Sequence, residues 1–402
     1  MTAIFLFDAV RTPRGKGRPG GALSGLTPHE LVGQLVSALG SRCGEAALDD
    51  VASLTLGCVG QVGAQGGQLA LVSKLHANLP TNMTSRTLNN YCVSGLTATR
   101  VAALEATATS DNRLRLAGGV EMMSIVPFLA DHAHYYDDPA TARALRYIPV
   151  PLSADLMATM EGISREALDT VTVRSHQRAA RAWAKGPLEE VIPVQGPDGT
   201  VLLAQDESVR PDTSMSSLAR LAPAFVQMGA QGFDDVMLTA RPELTAIEHV
   251  HTIAHCPPIA DGAALVLLGS GQAGSAAGLK PRAVIRAATE ASADPVLQLT
   301  AGFAAMEAAL IEAGLRLDDI DRIEFMEAFA ATLVKFERDY APDLARVNPE
   351  GGHLAMGHPM GASGAILLTT LLAGLERDGG TLGLAVLHGG SGVGAAIIVE
   401  RV

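Results

Sequence analysis

Short aliphatic runs alternate along the chain with longer stretches in which apolar residues recur at helical spacing. Glycines bound these runs, a pattern typical of strands buried on both faces of a sheet. The alternation predicts an α/β fold with largely buried sheets. The predicted strands include residues 54–59, 114–120, 283–287, 322–325 and 382–387.

The same order of elements occurs twice, which predicts an internal repeat. Ser94 opens a helical stretch that ends near residue 108, and the strand that follows ends at Gly118. Ser363 opens a second helical stretch that ends near residue 375, and the strand that follows ends at Gly389. We therefore predict two related halves, residues 1–272 and 273–402.

The stretch between the two copies has a different character. It contains a segment rich in His, Tyr and Asp at 131–138 and a charged amphipathic helix near 164–186. We predict that residues from about 121 to 248 form a domain inserted into the first half.

Composition and charge narrow the class of protein. The chain has 402 residues, of which 48% are hydrophobic and 18% charged, so it can bury a large core. A net charge of −12 argues against a general nucleic-acid or anionic-membrane surface. No apolar stretch approaches the ~20 residues of a membrane span, and the N-terminus does not have the pattern of a secretory signal. Four irregularly spaced cysteines give no disulfide framework, so we expect a cytoplasmic protein.

Cys92 is the first candidate for chemistry because it directly precedes a predicted helix. Unpaired N–H groups and the helix dipole at that place favour a thiolate and are expected to lower its pKa. The alternative is a buried structural cysteine, which is the interpretation we keep for Cys43, Cys58 and Cys256.

Two histidines lie in glycine-rich turns. His358 enters the second repeated helix, between Gly357 and Gly361, where a fixed backbone suits an imidazole that acts as a base. His388 follows a buried-looking strand, and the glycine-rich loop after it can direct backbone N–H groups at a developing oxyanion. The alternatives are a turn-stabilising histidine at 358 and a solvent-facing loop histidine at 388.

Several other sites are not indicated. The histidines between Glu248 and Cys256 match no established zinc spacing, so we predict no metal site. The chain has no P-loop and no serine-hydrolase elbow.

Seven blocks in order resemble the thiolase family along essentially the whole chain, from Ile4 to Val402. That resemblance implies a five-layered αβαβα fold, built from two pseudo-symmetric βαβαβαββ halves with an inserted loop domain. The blocks are RTPRGK at 11–16, NNYCVSG at 89–95, AGGVEMMS at 117–124, DGAA at 261–264, EAFA at 327–330, NPEGG at 348–352 and GHPMGASG at 357–364.

The resemblance implies coenzyme A chemistry: thiolytic cleavage of a 3-ketoacyl-CoA, or Claisen condensation of two acyl-CoAs. Cys92 would carry the acyl group and His358 would accept its proton. The backbone N–H groups of Cys92 and Gly390 would bind an oxyanion. Acyl-CoA and CoA would be the substrates, with no permanently bound cofactor and no nucleic-acid partner. A homodimer or homotetramer is expected.

The chain departs from the family at three kinds of position. His388 replaces the family's second cysteine, which predicts a Cys92–His358–His388 site in which His388 moves the α-proton, since an imidazole of ordinary pKa near ~6.5 can do so at neutral pH. Met326, placed with Phe329 in the substrate pocket, replaces the family's Asn or His and cannot donate a hydrogen bond.

The segments that contact CoA differ as well. Pro257 stands where the family has a pantetheine-binding serine, and Ala222 where it often has an arginine. We consider Arg220 as a substitute basic contact. These departures leave two alternatives to a thiolase: a ketoacyl-synthase-type condensing enzyme, and a catalytically weak subunit that binds acyl-CoA.

Overall fold

A computed structural model describes residues 2–109 and 111–402. The strands are β1 Ile4–Arg11, β2 Gly15–Lys16, β3 Ser53–Gly57, β4 Thr84–Leu88, β5 Arg115–Met122, β6 Val194–Gln195, β7 Val201–Leu203, β8 Ala260–Ser270, β9 Ala283–Ser292, β10 Arg322–Phe325, β11 Leu382–Gly389 and β12 Val393–Arg401. The helices are α1 Pro28–Cys43, α2 Ala46–Asp49, α3 Leu69–His76, α4 Ser94–Ala108, α5 His134–Asp137, α6 Pro139–Ala144, α7 Val150–Glu161, α8 Arg165–Ala184, α9 Met215–Leu218, α10 Val226–Met228, α11 Asp234–Ala240, α12 Gly271–Ala276, α13 Ala301–Ala313, α14 Ala330–Tyr340, α15 His353–Met356 and α16 Ser363–Asp378.

The strand order repeats in the two parts of the chain. In the first part, β4, β3 and β5 are parallel neighbours, and β8 and β1 follow them antiparallel. In the second part, β10 and β11 are parallel, and β12 and β9 follow antiparallel. A parallel bridge between Ile323 and Val347 supplies the counterpart of β4. A short antiparallel pairing of β1 with β9 joins the two parts into one sheet of ten strands.

The helices pack in three layers around the strands. Helices α1 and α3 cover the outer face of the first part, and α13 covers the outer face of the second. Helices α4 and α16 pack against each other between the two parts. The predicted strands and both repeated helices are confirmed, and so is the expected five-layered αβαβα fold. The predicted limits of the halves, 1–272 and 273–402, stay predictions.

The central helices approach at their N-termini, where only glycine fits. A Cβ atom on Gly95 would lie 2.8 Å from the backbone nitrogen of Ala365, and one on Gly364 would lie 2.3 Å from that of Leu96. Real Cβ contacts are almost never this short, so each helix needs glycine at this place. The close approach brings the loop that carries Cys92 next to the turn that carries His358.

Residues between β5 and β8 form a separate layer of helices with one small hairpin. Helix α8 corresponds to the predicted amphipathic helix, and Ser164 caps it by accepting a hydrogen bond from the backbone N–H of Ala167 at 3.2 Å. Because β8 begins at Ala260, the connecting segment continues past residue 248, where we predict the inserted domain to end. The limits 121–248 stay a prediction.

Candidate active site

Cys92 lies in the short loop between β4 and α4. Ser94, the first residue of α4, accepts a hydrogen bond from the backbone N–H of Asn90 at 2.8 Å and donates one to the carbonyl of Tyr91 at 2.5 Å. Tyr91 has a left-handed backbone, with φ of 49°. These contacts fix the loop, so Cys92 is held at the end of the helix as the sequence predicts.

The environment of the Cys92 thiol differs from the one expected at a helix N-terminus. Burial raises the pKa of Cys92 to about 11, and the charge of Glu121 acts in the same direction. The backbone N–H groups of Gly390 and Cys92 face the sulfur and oppose this rise. The expected lowering of the pKa is therefore wrong, because desolvation of the thiolate outweighs the nearby N–H groups.

His358 is held by both its backbone and its ring. Gly357, with φ of 99°, makes the turn before it, and the N–H of His358 donates to the carbonyl of Pro258 at 2.8 Å. Its Nδ1 lies 2.7 Å from Oγ of Ser363, the first residue of α16. Nε2 is buried and has no partner within the described part of the chain. One ring nitrogen is thus oriented while the other is free to take a proton.

His388 is the second-last residue of β11 and is fully buried, so it is not the solvent-facing loop histidine of the alternative interpretation. Its ring centre lies 4.8 Å from that of Phe303 and 5.1 Å from that of Phe325. Neither ring nitrogen has a hydrogen-bond partner among residues 2–109 and 111–402. A Cβ atom on Gly302 would lie 2.6 Å from the ring, so glycine there makes room for the imidazole.

Both imidazoles are kept neutral by burial. Desolvation lowers the pKa of His358 to about 3, with the charge of Arg14 acting in the same direction. Desolvation also lowers the pKa of His388 to about 3. The expectation of an ordinary pKa near ~6.5 for His388 is therefore wrong, because its ring is fully buried.

The thiol and both imidazoles line one cavity of about 290 Å³, together with Gly390. Met326 and Phe329 also line it, in the positions expected of pocket residues, and are almost fully buried. The other side chains of the lining are apolar or carry sulfur. They are Met123, Phe128, Val150, Pro151, Phe225, Cys256, Pro257, Ile259, Leu299, Ala328 and Met360.

Arg220 lies apart from this cavity. It is an exposed residue two positions after α9 and does not line any of the cavities described here. Pro257, in contrast, lies in the lining itself, where its side chain offers no hydrogen bond.

Sequence reasoning missed residues that hold the site together. The buried carboxylate of Glu121 accepts hydrogen bonds from the backbone N–H groups of Val59 at 2.9 Å, Gly60 at 3.0 Å and Gly361 at 3.0 Å. It therefore ties the turn after His358 to the end of β3. The sequence does carry a signal for Glu121, because an acidic residue within an otherwise apolar strand must find hydrogen-bond partners when it is buried.

The histidines of the segment before β8 are used in hydrogen bonds. Nδ1 of His249 and Nδ1 of His251 lie 2.8 and 2.7 Å from the carboxylate of Asp155, and Nε2 of His255 lies 2.7 Å from Asp169. Within the described residues no group of three or more His, Cys, Asp or Glu side chains is arranged to hold a metal ion.

Comparison with known proteins decides the family. Two family models match: the thiolase N-terminal domain over residues 4–232 and the thiolase C-terminal domain over residues 279–401. The chain belongs to the thiolase family. It is 36% identical to beta-ketoadipyl-CoA thiolase of Pseudomonas aeruginosa over 423 residues, covering 99% of each chain. It is also 34% identical to a 3-ketoacyl-CoA thiolase of Marinomonas sp. over 409 residues, covering 99% of this chain and 98% of the relative.

A solved structure gives the same result for the fold. The crystal structure of the Bacillus anthracis acetyl-CoA acetyltransferase matches this thiolase with a TM-score of 0.85 at 28% sequence identity, covering 100% of this chain and 99% of that one. This thiolase is an acyl-CoA C-acyltransferase, and the resemblance drawn from the seven blocks is confirmed. Thiolases use CoA thioesters as substrates. No helix within the described residues is both long and apolar enough to cross a membrane.

Proposed function

We propose that this thiolase cleaves 3-ketoacyl-CoA with CoA, and in reverse joins two acyl-CoA molecules, through an acyl group carried on Cys92. The observation that carries the proposal is the shared lining of one buried cavity. A thiol, two imidazoles with free ring nitrogens and a backbone N–H meet there. Acyl transfer through a covalent intermediate needs these parts: a nucleophile, a base and an oxyanion donor.

The first half of the reaction forms the acyl enzyme. His358, oriented by Ser363, accepts the thiol proton of Cys92 as the sulfur attacks C3 of the 3-ketoacyl chain. The bond between C2 and C3 then breaks, the acyl group stays on sulfur, and the electron pair becomes the enolate of acetyl-CoA. The N–H groups of Gly390 and Cys92 are aimed at the reacting sulfur and are suited to an oxyanion beside it.

The second acid/base role belongs to His388. Its imidazolium gives a proton to C2 of the enolate, and the neutral ring then takes the proton of the incoming CoA thiol. That sulfur attacks the acyl group, and Cys92 leaves and recovers its proton from His358. Thiolysis therefore begins with a charged His388, whereas removal of an α-proton from acetyl-CoA begins with a neutral one.

This requirement bears on the rate of thiolysis. With its pKa lowered to about 3 by burial, His388 is almost entirely neutral at pH 7. Only bound substrate, whose thioester oxygen becomes negative, favours the charged ring. Met326 adds no donor for that oxygen. Because loss of one oxyanion donor costs about 10²–10³ in rate in other enzymes, we expect slow thiolysis at neutral pH.

A direct assay tests the proposal. Acetoacetyl-CoA and CoA are incubated with the wild type and with Cys92→Ser, and the formation of acetyl-CoA is followed. We expect product with the wild type only. Absence of product at every pH from 5 to 9, with folded protein and with longer 3-ketoacyl-CoAs also tried, would reject the proposed reaction.

We also propose that the chain works as a homo-oligomer, in the cytoplasm, with CoA thioesters as substrates and no bound cofactor. Strand β4 supports the oligomer because it ends the sheet and leaves one edge free to pair. The four free cysteines are consistent with a reducing compartment. Sedimentation velocity would show a dimer or tetramer, and a monomer at micromolar concentration would contradict the first of these points.

A further inference from the structure

A second cavity, of about 240 Å³, meets the catalytic one at Cys92. Both cavities share Phe128, Val150, Met360 and Gly390 in their linings. The carbon that Cys92 attacks, C3 of the 3-ketoacyl chain, has two arms: the rest of the acyl chain, and the arm that leads through C2 and the thioester to CoA. The arm that leads to CoA must reach the imidazoles of the catalytic cavity, so the second cavity is the space available to the acyl arm.

Tyrosines dominate this second cavity, which we name the tyrosine pocket. The chain has only five tyrosines, and four of them line the pocket: Tyr91, Tyr135, Tyr136 and Tyr147. The rings of Tyr135 and Tyr147 meet edge to face with centres 5.1 Å apart, and those of Tyr136 and Tyr147 are 5.9 Å apart. The rings therefore support one another as a continuous aromatic surface.

Two of these rings also line a third, larger cavity of about 740 Å³. Only Tyr136 and Tyr147 belong to both linings, so they form a wall between the tyrosine pocket and the larger cavity. An acyl chain that starts at Cys92 meets this wall before it can reach the space beyond.

The charge of the tyrosine pocket is the other constraint. Asp131 is the one charged residue in its lining among the described residues, and it accepts a hydrogen bond from Tyr136. No lysine or arginine of the described chain lines the pocket. A carboxylate at the end of an acyl group would meet a like charge and no cation, which disfavours its binding.

We propose that the wall of Tyr136 and Tyr147 restricts this thiolase to 3-ketoacyl-CoAs with compact, uncharged acyl groups. A cavity of about 150 Å³ is known to hold a benzene molecule, so the tyrosine pocket has room for a short alkyl chain or a single ring. This inference rests on the proposed thiolysis and adds the class of acyl group. It separates this chain from relatives named for a dicarboxylic substrate, such as the beta-ketoadipyl-CoA thiolases.

The test compares kcat/KM for thiolysis of acetoacetyl-CoA, 3-oxohexanoyl-CoA, 3-oxododecanoyl-CoA and 3-oxoadipyl-CoA. We expect the wild type to prefer 3-oxohexanoyl-CoA over 3-oxododecanoyl-CoA and 3-oxoadipyl-CoA by at least about tenfold. The first of these two has several methylenes that the pocket cannot hold, and the second has a carboxylate that finds no cation there. Tyr147→Ala should raise the ratio of kcat/KM for 3-oxododecanoyl-CoA to kcat/KM for acetoacetyl-CoA by about tenfold. Leu145→Ala, at an exposed position on the same segment, is the control and should change neither.

A second variant tests the charge. Asp131→Asn should raise the ratio of kcat/KM for 3-oxoadipyl-CoA to kcat/KM for 3-oxohexanoyl-CoA severalfold. If the melting temperature of Tyr147→Ala falls sharply, Tyr147→Leu takes its place. A wild type that cleaves acetoacetyl-CoA but accepts all four substrates alike, or a wall variant with an unchanged profile, would overturn the inference alone. A wild type that cleaves none of the four would overturn the proposed function instead.

Discussion

The buried Arg14 donates a hydrogen bond from Nη1 to the carbonyl oxygen of Gly357 at 2.8 Å. Gly357 directly precedes His358 and has the left-handed φ of 99°. Arg14 forms no ion pair within the described residues, and the nearby Asp206 instead accepts a hydrogen bond from its backbone N–H at 2.8 Å. The guanidinium is therefore used to hold the turn that carries His358.

Arg14→Leu tests this positioning role. We expect kcat for thiolysis to fall by about 10- to 100-fold with KM within about twofold, because a small displacement of a catalytic base has that effect. The melting temperature should also fall, because the carbonyl of Gly357 loses its buried donor and the buried Asp206 loses one of two nearby guanidinium charges, so the separate responses of kcat and KM are the readout of positioning. Arg14→Lys, which keeps one donor, should recover part of kcat. An unchanged kcat in Arg14→Leu would show that the turn holds His358 without this bond.

The thiol of Cys92 should react as a buried thiol and not as a preformed thiolate. With a pKa of about 11, roughly one molecule in ten thousand carries the thiolate at pH 7. Alkylation of Cys92 by iodoacetamide, followed by peptide mapping, should accelerate about tenfold for each pH unit from 7 to 9. A rate that reaches a plateau below pH 8 would mean that Cys92 and His358 already form a thiolate–imidazolium pair in the free enzyme.

Replacement of His388 by cysteine should change the pH profile of thiolysis. A buried cysteine stays protonated at neutral pH and can donate to the enolate at once, whereas His388 must first acquire a proton. We expect kcat/KM of the wild type to rise as pH falls from 8 to 6, and that of His388→Cys to be flatter and higher at pH 8. Exchange of the α-protons of acetyl-CoA, which needs only the neutral ring, should be abolished in His388→Ala. Unchanged exchange in that variant would remove His388 from the mechanism.

The buried histidines should also make the fold sensitive to acid. The pKa of His388 is about 3 in the folded chain and near ~6.5 in the unfolded chain, so between these values only the unfolded state binds the proton. The contribution of this histidine to stability is therefore fully present well above pH 6.5 and is lost as pH falls towards 3. Between pH 7 and 5 each such histidine lowers the free energy of unfolding by about 2 kcal/mol.

Urea unfolding at the two pH values measures this effect. His388→Cys should lose about 2 kcal/mol less than the wild type over the same interval, because carboxylates contribute equally to both proteins. Equal losses would show that His388 titrates in the folded protein, and hence that water reaches its ring.

The sequence predicted those features that depend on local pattern. The spacing of apolar residues and the positions of glycines predicted the strands and both repeated helices. The sequence blocks around Cys92 and His358 indicated both the family and the candidate catalytic residues. The environment of each candidate side chain, which determines its pKa, was harder to predict. The helix dipole at Cys92 acts locally, but its pKa depends on enclosure by side chains from distant segments, among them Met326 and Phe329.

Long-range contacts explain the other omissions. Arg14 and Gly357 are far apart in the chain, and nothing near either residue indicates that they meet. The tyrosines at 91, 135, 136 and 147 were visible individually, but only the fold gathers them beside Cys92. Arg220 shows the opposite error. It is a basic residue close in sequence to Ala222, where the family often has an arginine, but it does not line the cavity.

The central claim is that Cys92 carries the acyl group, and mass spectrometry tests it most directly. The protein is incubated with acetoacetyl-CoA without free CoA, quenched in acid, digested and mapped. We predict the mass of one acetyl group on the peptide that contains Cys92, absent in Cys92→Ser and removed when CoA is added before the quench. An unmodified Cys92 peptide in a preparation that releases acetyl-CoA would contradict the account.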